Sequence, residues 1–291
     1  EGRLSSGVYA ETFEKHFSKF IGVKHSISVN SATAALQLIL ASAGVGRGDE
    51  VITTPYTFAA TANVIVLQGA KPVFVDIEQN FYNIDTFKIE EKITKKTKAI
   101  MPIHFGGQSS EMDKMTKIAR DHELFLIEDA APAAGATYKG RKVGSIGDAG
   151  AFSFFPDKNM TTGEGGMLTT NSDKIAEKAK IMRKHGASSR YYHTEIGWNF
   201  KLPDPNAALG ISQLRKLTKT IKMKNKLAKN YSRLFNETLG NKVITPQIKK
   251  NCTHTFNLYN VRFKNEKIRN TVKSYLEKKK IETRVCFPPV H

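Results

Sequence analysis

Cysteine is scarce in this 291-residue chain, which has only Cys252 and Cys286. Two thiols without a CxxC neighbour exclude a disulfide framework and a zinc site, and both are expected to be inert. No metal is expected. Long apolar runs are missing as well: nothing approaches the roughly twenty consecutive apolar residues that a membrane-spanning helix needs. The opening EGRLSSGVYA has no hydrophobic signal-peptide segment. The expected setting is the cytoplasm, with no membrane partner. Glycine and proline do not cluster, and 40% of the residues are apolar. The chain is therefore neither fibrous nor disordered, and it is long enough for two domains and a sizeable core.

Acidic residues are in deficit, 27 against 45 lysines and arginines, for a net charge of +18. Such a balance invites a nucleic-acid reading, but its distribution argues against one. The lysines of KITKKTK and LRKLTKTIKMKNKLAK fall at helical spacing among apolar residues, as on solvated helix faces. No basic run is interleaved with aromatics. No nucleic-acid partner is expected, whereas an anionic small substrate would be drawn in.

What is present is an alternation of apolar runs and helical-period segments from about Phe13 to Thr170, the pattern of βα units around a mostly parallel sheet. Strands are predicted at 26–30, 50–54, 72–76, 99–103, 124–128, 150–155 and 166–170. Helices are predicted to begin near Thr33, Phe58, Asp85, Met112 and Asp173. From about Asp204 a long lysine-rich helix leads into a different texture: HTFNLYNVRF reads as a strand, RNTVKSYLEKKK as a helix and IETRVCF as a second strand. The expected organisation is a large α/β domain over 1–215 and a small α+β domain over 216–291. The sequence stops at Pro288, Pro289, Val290 and His291, straight after a strand, so the smaller domain is expected to be incomplete.

Ligands of open α/β sheets bind at the carboxyl ends of the strands, and the residues there form an ordered set. After the first strand come Ser31, Ala32 and Thr33, small residues that open a helix and expose backbone N–H groups to an anion. Asp129 follows the fifth strand. Ser153 lies on the sixth strand, and Lys158 follows it in FSFFPDKNMTTGEGG. A lysine in a turn is ordinarily a solvated charge, yet at a strand end inside an apolar wall it can lose its proton and form a Schiff base. Each residue also has a plainer reading: Asp129 as a turn or cap residue, Ser153 as an ordinary strand residue.

Anion seat, acid and lysine in that order, together with NSATAAL, TTPYTFAATAN, GAKPVFVDI, IEDAAPAAGA, GDAGAFSFFPDKNMTTGEGGMLTTN and GWNFKLPDPNAALGISQL, resemble the sugar-nucleotide aminotransferases of the DegT/DnrJ/EryC1/StrS family. The resemblance runs from Gly7 to RVCFPPVH. It implies the aspartate aminotransferase-like fold (fold type I) of pyridoxal 5'-phosphate enzymes. It implies that Lys158 holds the cofactor and shuttles a proton, and that Asp129 faces the pyridine nitrogen. Phe58 would stack on the ring, with core packing as its alternative. Ala32, Thr33 and Ser153 would contact the phosphate. Asn199, in GWNF, would reach the phosphate in a neighbouring subunit of a homodimer, unless it is a local turn residue. His104, Arg284 and His291 are implied near the substrate. Pro132 departs from the family, which usually has glutamine there to touch the ring.

The implied reaction transfers the amino group of L-glutamate to a nucleotide-linked keto-deoxysugar. TTGEGG resembles members that act at C4 of a 4-keto-6-deoxysugar, of the perosamine synthetase kind, in surface polysaccharide biosynthesis. Other readings are a 3-keto sugar aminotransferase, a dehydratase-type reaction, which retention of Lys158 disfavours, and a regulator that keeps the fold without the chemistry.

Overall fold

The computed structural model describes residues 4, 5 and 7–291. Seven strands form the central sheet: β1 (His25–Val29), β2 (Glu50–Thr53), β3 (Lys71–Phe74), β4 (Thr97–Ile100), β5 (Phe125–Asp129), β6 (Ala149–Ser153) and β7 (Gly166–Thr170). Their spatial order is β1-β7-β6-β5-β4-β2-β3. β7 runs antiparallel to both of its neighbours, and the other pairings are parallel. Six strands therefore point one way, and their carboxyl ends share one edge. The expected mostly parallel α/β sheet is what forms, with 166–170 as predicted and the other strands' boundaries within three residues of the prediction.

Helices α1 (Val8–Ile21), α2 (Ala32–Ser42), α3 (Ala59–Leu67), α4 (Met112–Asp121), α5 (Asp173–Met182), α6 (Asp204–Leu239) and α7 (Glu266–Lys278) cover the sheet or extend from it. α2 is apolar on nearly every side, with Ala34 to Leu40 all buried, as a helix sandwiched between layers must be. α1 lies largely ahead of the predicted pattern. Its stripe of Ala10, Phe13, Phe17 and Ile21 at helical spacing is buried, and it packs along α6. Gly210 lets the two come close, since a Cβ there would meet the Phe13 ring at 2.7 Å.

This packing accounts for the aromatic run in FSFF. Phe152 and Phe154 are fully buried and pack on Phe17 at centroid separations of 5.1 and 5.4 Å, and Phe154 also meets Phe13 at 5.3 Å. Each such ring contributes roughly 1.5–3 kcal/mol of burial. The cluster pins the end of β6, so the turn that follows leaves from a fixed place.

The structure departs from the sequence expectations in several places. No helix starts at Asp85; two 3-10 turns, Thr86–Lys88 and Glu90–Lys92, stand there instead. Only isolated residues such as Ile89 in this stretch reach the core, so no continuous apolar stripe supports a longer helix. In HTFNLYNVRF only Arg262–Phe263 is a strand, paired with Val243–Ile244. The earlier part bonds instead to a glycine pair, Thr255 N–H to Gly107 O at 2.8 Å and Leu258 N–H to Gly106 O at 3.1 Å. IETRVCF forms no strand; the chain after it bonds to the loop that follows β2. The division expected at 215/216 falls inside α6, which runs through it unbroken. Among the described residues no helix is long and apolar enough to cross a membrane, and no group of three His, Cys, Asp or Glu is placed to hold a metal.

Candidate active site

The carboxyl edge of the sheet gathers most of the expected residues. Asp129 ends β5 and is 3% exposed. Its carboxylate accepts from the Thr61 hydroxyl at 2.8 Å and the Ala131 N–H at 3.1 Å. Both donors are neutral. Burial pushes the Asp129 carboxyl above its ordinary value, opposed by those hydrogen bonds and by the nearby Lys158 charge. A buried carboxylate served only by neutral donors is a seat for a cation.

Lys158 lies in the turn after β6, its backbone N–H bonded to Phe155 O at 3.0 Å. Its side chain is 22% exposed, and Nζ pairs with Asp157 at 3.0 Å. Asn159, the next residue, is buried and donates to Thr255 O at 3.0 Å, while its side-chain oxygen accepts from Lys224 of α6. Burial lowers the Lys224 pKa, and the Asp157 charge opposes that shift. The Lys158 turn is thus held from α6 and from the segment around Thr255.

The anion seat is built by close approach. Ser31 caps α2 by accepting from Ala34 N–H at 3.1 Å, and no acidic residue occupies the first turn. Ala32 and Thr33 therefore present their amides at a helix N-terminus, where the dipole favours an anion. Gly166, which pairs with both Val29 and Ser153, permits this. A Cβ on it would lie 2.5 Å from the Ser31 carbonyl carbon and 2.6 Å from Ala32 N. Ser153 ends β6 beside this seat, with Oγ near the Phe155 N–H at 3.4 Å.

Phe58 is 62% exposed at the start of α3. That placement removes the core-packing alternative and leaves a ring one helical turn before Thr61. Pro132 sits in the turn closed by Ala133 N–H to Ala130 O at 2.9 Å. Asn199 is exposed and bridges to Lys184. It lines an open groove of about 360 Å³ with Asn30, Glu164, Lys201 and Asn206, so its side chain is at the periphery rather than beside Lys158.

His104 is a correction. It is fully buried: Nε2 donates to Glu128 at 2.9 Å, and Nδ1 accepts from the Ser110 N–H at 3.1 Å. Glu128 also accepts from the amides of Gly144, Ile146 and Gly147. Burial works to raise the Glu128 carboxyl, yet the His104 bond and these amides outweigh it and hold it below its ordinary value. With both ring nitrogens committed and no exposed surface, His104 braces Glu128 and, through it, the loop before β6. Asp129 and Glu128 are neighbours on one strand, so their side chains serve opposite faces of the sheet.

Arg284 is exposed and pairs with Glu282 at 2.8 Å. His291 is exposed, with its ring 6.1 Å from Phe74. The segment between them lies against the loop after β2. Sequence reasoning passed over Thr61, Asp157, Lys224 and Tyr56. Thr61 alone had a usable signal, lying three residues after Phe58 and so on the same face of a helix.

The family model of the DegT/DnrJ/EryC1/StrS aminotransferase family matches residues 1–291. The chain is 44% identical to the spore coat polysaccharide biosynthesis protein SpsC of Bacillus subtilis, covering 100% of this chain and 78% of that protein. It is 41% identical to the GDP-perosamine synthase of Caulobacter vibrioides, covering 99% and 78%. Among solved structures, S. venezuelae DesV in complex with a ketimine intermediate superposes with a TM-score of 0.95 at 33% identity, covering 100% of this chain and 78% of that one.

Proposed function

The chain belongs to the DegT/DnrJ/EryC1/StrS aminotransferase family, and on that premise we propose that it moves the amino group of L-glutamate to a nucleotide-linked 4-keto-6-deoxysugar, with pyridoxal 5'-phosphate held at the edge that carries Asp129 and Lys158. The observation that carries this reading is Asp129: a buried carboxylate with neutral donors, close enough to Lys158 to feel its charge. The donor set fits the cofactor. A protonated pyridine nitrogen supplies the cation that Asp129 lacks, and the α2 N-terminus with Ser153 supplies an anion seat.

When bound, the cofactor supplies an aldehyde carbon and an electron-withdrawing ring. The protein does the rest. The Thr61 hydroxyl and Ala131 amide fix the Asp129 carboxylate, which would keep the ring nitrogen protonated. The Ala32 and Thr33 amides and the Ser153 hydroxyl hold the phosphate. The exposed ring of Phe58 is the side chain that would stack on the cofactor's ring. Lys158 would be the attachment point, and its Nζ would serve as the base for the proton on the donor's α-carbon. Such positioned acid–base transfer contributes roughly 100- to 10,000-fold. The net charge of +18 favours a diphosphate-linked substrate.

The 4-keto preference rests on TTGEGG, and it accords with the GDP-perosamine synthase relative. The product is an amino sugar for surface polysaccharide, made in the cytoplasm. Peripheral Asn199 suits a homodimer in which each subunit reaches the other's phosphate. Incubation with L-glutamate and a panel of nucleotide-linked 3-keto and 4-keto sugars tests the reading. Amination of a 4-keto sugar is expected. Amination of the 3-keto sugars alone overturns the regiochemistry, and no amination of any sugar overturns the substrate class.

A further inference from the structure

The chain from Cys286 to His291 is fastened across the loop that joins β2 to α3, the loop that carries Phe58. The Tyr56 hydroxyl donates to the carbonyl of Cys286. The Val290 N–H donates to Pro55 O at 3.0 Å. Between these two bonds Phe287 packs edge-on to Phe58 at 6.2 Å and to Phe105 at 6.2 Å. Tyr56 is itself held, its ring 4.7 Å from Phe105 and 6.2 Å from Tyr82. Arg284, two residues before the strap, lies within electrostatic reach of Asp157, the residue paired with Lys158.

We propose that Tyr56 is a positioning residue: its hydroxyl latches the strap over the mouth of the site, and so sets the side chains that meet the part of the substrate beyond the reacting carbon. The reasoning is geometric. Val290 bonds to Pro55 through a backbone amide, which any residue but proline supplies. The bond to Cys286 depends on one side chain, and that side chain leaves the same loop two residues before Phe58. Loop and strap therefore move together while the latch holds. Burial pushes the Tyr56 phenol up to about 12, so it is a protonated donor at neutral pH. A small donor such as glutamate occupies the inner site alone, whereas a nucleotide-linked sugar extends outward beneath the strap. Loss of the latch should then weaken the second substrate selectively. This inference rests on the proposed substrate class.

The test compares the full-length wild-type protein with Tyr56→Phe, which removes the hydroxyl and keeps the ring. One neutral hydrogen bond corresponds to a factor of about 2–10. Hydrogen–deuterium exchange at the Val290 amide should quicken by that factor, with exchange in the β-sheet unchanged. The KM for the keto-sugar should rise by a similar factor while kcat, and the half-reaction with L-glutamate, stay near wild type. Unchanged exchange at Val290 overturns the latch. Quickened exchange with unchanged KM overturns the positioning role. If Tyr56→Phe does not fold, Val290→Pro, which deletes the other strap bond, should quicken exchange at Cys286 and Phe287 and raise the same KM; no effect on either overturns the proposal. Failure of the substrate reading would show in the wild type as absence of sugar amination, and the exchange comparison would still decide the latch.

Discussion

Lowering the pH from 7 toward 4 should draw stability out of the contact between α6 and the segment that follows the small strand Val243–Ile244, through one histidine. His254 is 6% exposed, its ring stacked on Phe256 at 4.1 Å. Nδ1 accepts from the Phe256 N–H at 2.9 Å, and the His254 carbonyl accepts from Asn225 of α6 at 2.9 Å. Burial lowers the ring from the ordinary 6.5 to about 4. A lowered folded-state value means that the unfolded chain binds the proton first. The contribution of the neutral ring is therefore whole above pH 6.5 and is lost as pH falls from there to about 4. At about 1.4 kcal/mol per pKa unit the gap is worth about 3 kcal/mol.

Urea unfolding of the cofactor-free protein at a series of pH values, set beside His254→Gln, isolates this quantity. The wild type should lose up to about 1.4 kcal/mol per pH unit more than the variant within the window. Asp129 and Glu128 titrate in both proteins and cancel in the comparison. Parallel profiles, or a ring that titrates near 6.5 by NMR, would refute the reasoning.

Asp129→Asn should act in two directions. Burial penalises the charged form of this carboxyl and raises its pKa, a cost to the folded state that disappears as pH falls through the folded-state value. The amide should therefore raise the melting temperature of the cofactor-free protein while slowing the half-reaction with L-glutamate. A lower melting temperature with an unchanged half-reaction would contradict both statements. Gly166→Ala drives a Cβ into the backbone of Ser31 and Ala32, so overpacking of about 1–3 kcal/mol and weaker cofactor affinity are expected from thermal melts and titration. Retention of both would mean that the α2 N-terminus can move without loss. Mixed dimers of an inactive Lys158→Ala chain and an inactive Asn199→Asp chain should regain partial activity, because one site per dimer keeps both residues. No recovery in verified mixed dimers would remove Asn199 from a shared site.

The sheet was legible because its strands are short apolar runs bounded by turn residues, and a strand buried on both faces leaves that signature whatever its neighbours are. The inner edge of the candidate site was legible for the same reason: Asp129 and Ser153 end strands, and the family motifs mark Lys158. What failed were segments whose conformation is set by partners far along the chain. HTFNLYNVRF has the composition of a strand, yet Thr255 and Leu258 bond to Gly106 and Gly107, and Phe256 takes a positive φ of 48°. IETRVCF leads into a strap whose partners lie near Tyr56, some 230 residues earlier. His104 misled because a histidine at a strand end can face either side of the sheet. Only the structure brings Glu128 and the Ser110 amide to its two nitrogens.

Lys158 is proposed as the amine that takes the cofactor for amino transfer from glutamate. Lys224 offers a rival on structural grounds, since it is half-buried and its pKa is lowered by burial. Treating the protein with pyridoxal 5'-phosphate, reducing with borohydride and mapping the labelled peptide by mass spectrometry decides between them. A single label on Lys158, lost when L-glutamate is added before reduction, is the predicted result. A label on Lys224 or spread over surface lysines, or one on Lys158 that glutamate leaves in place, would contradict it.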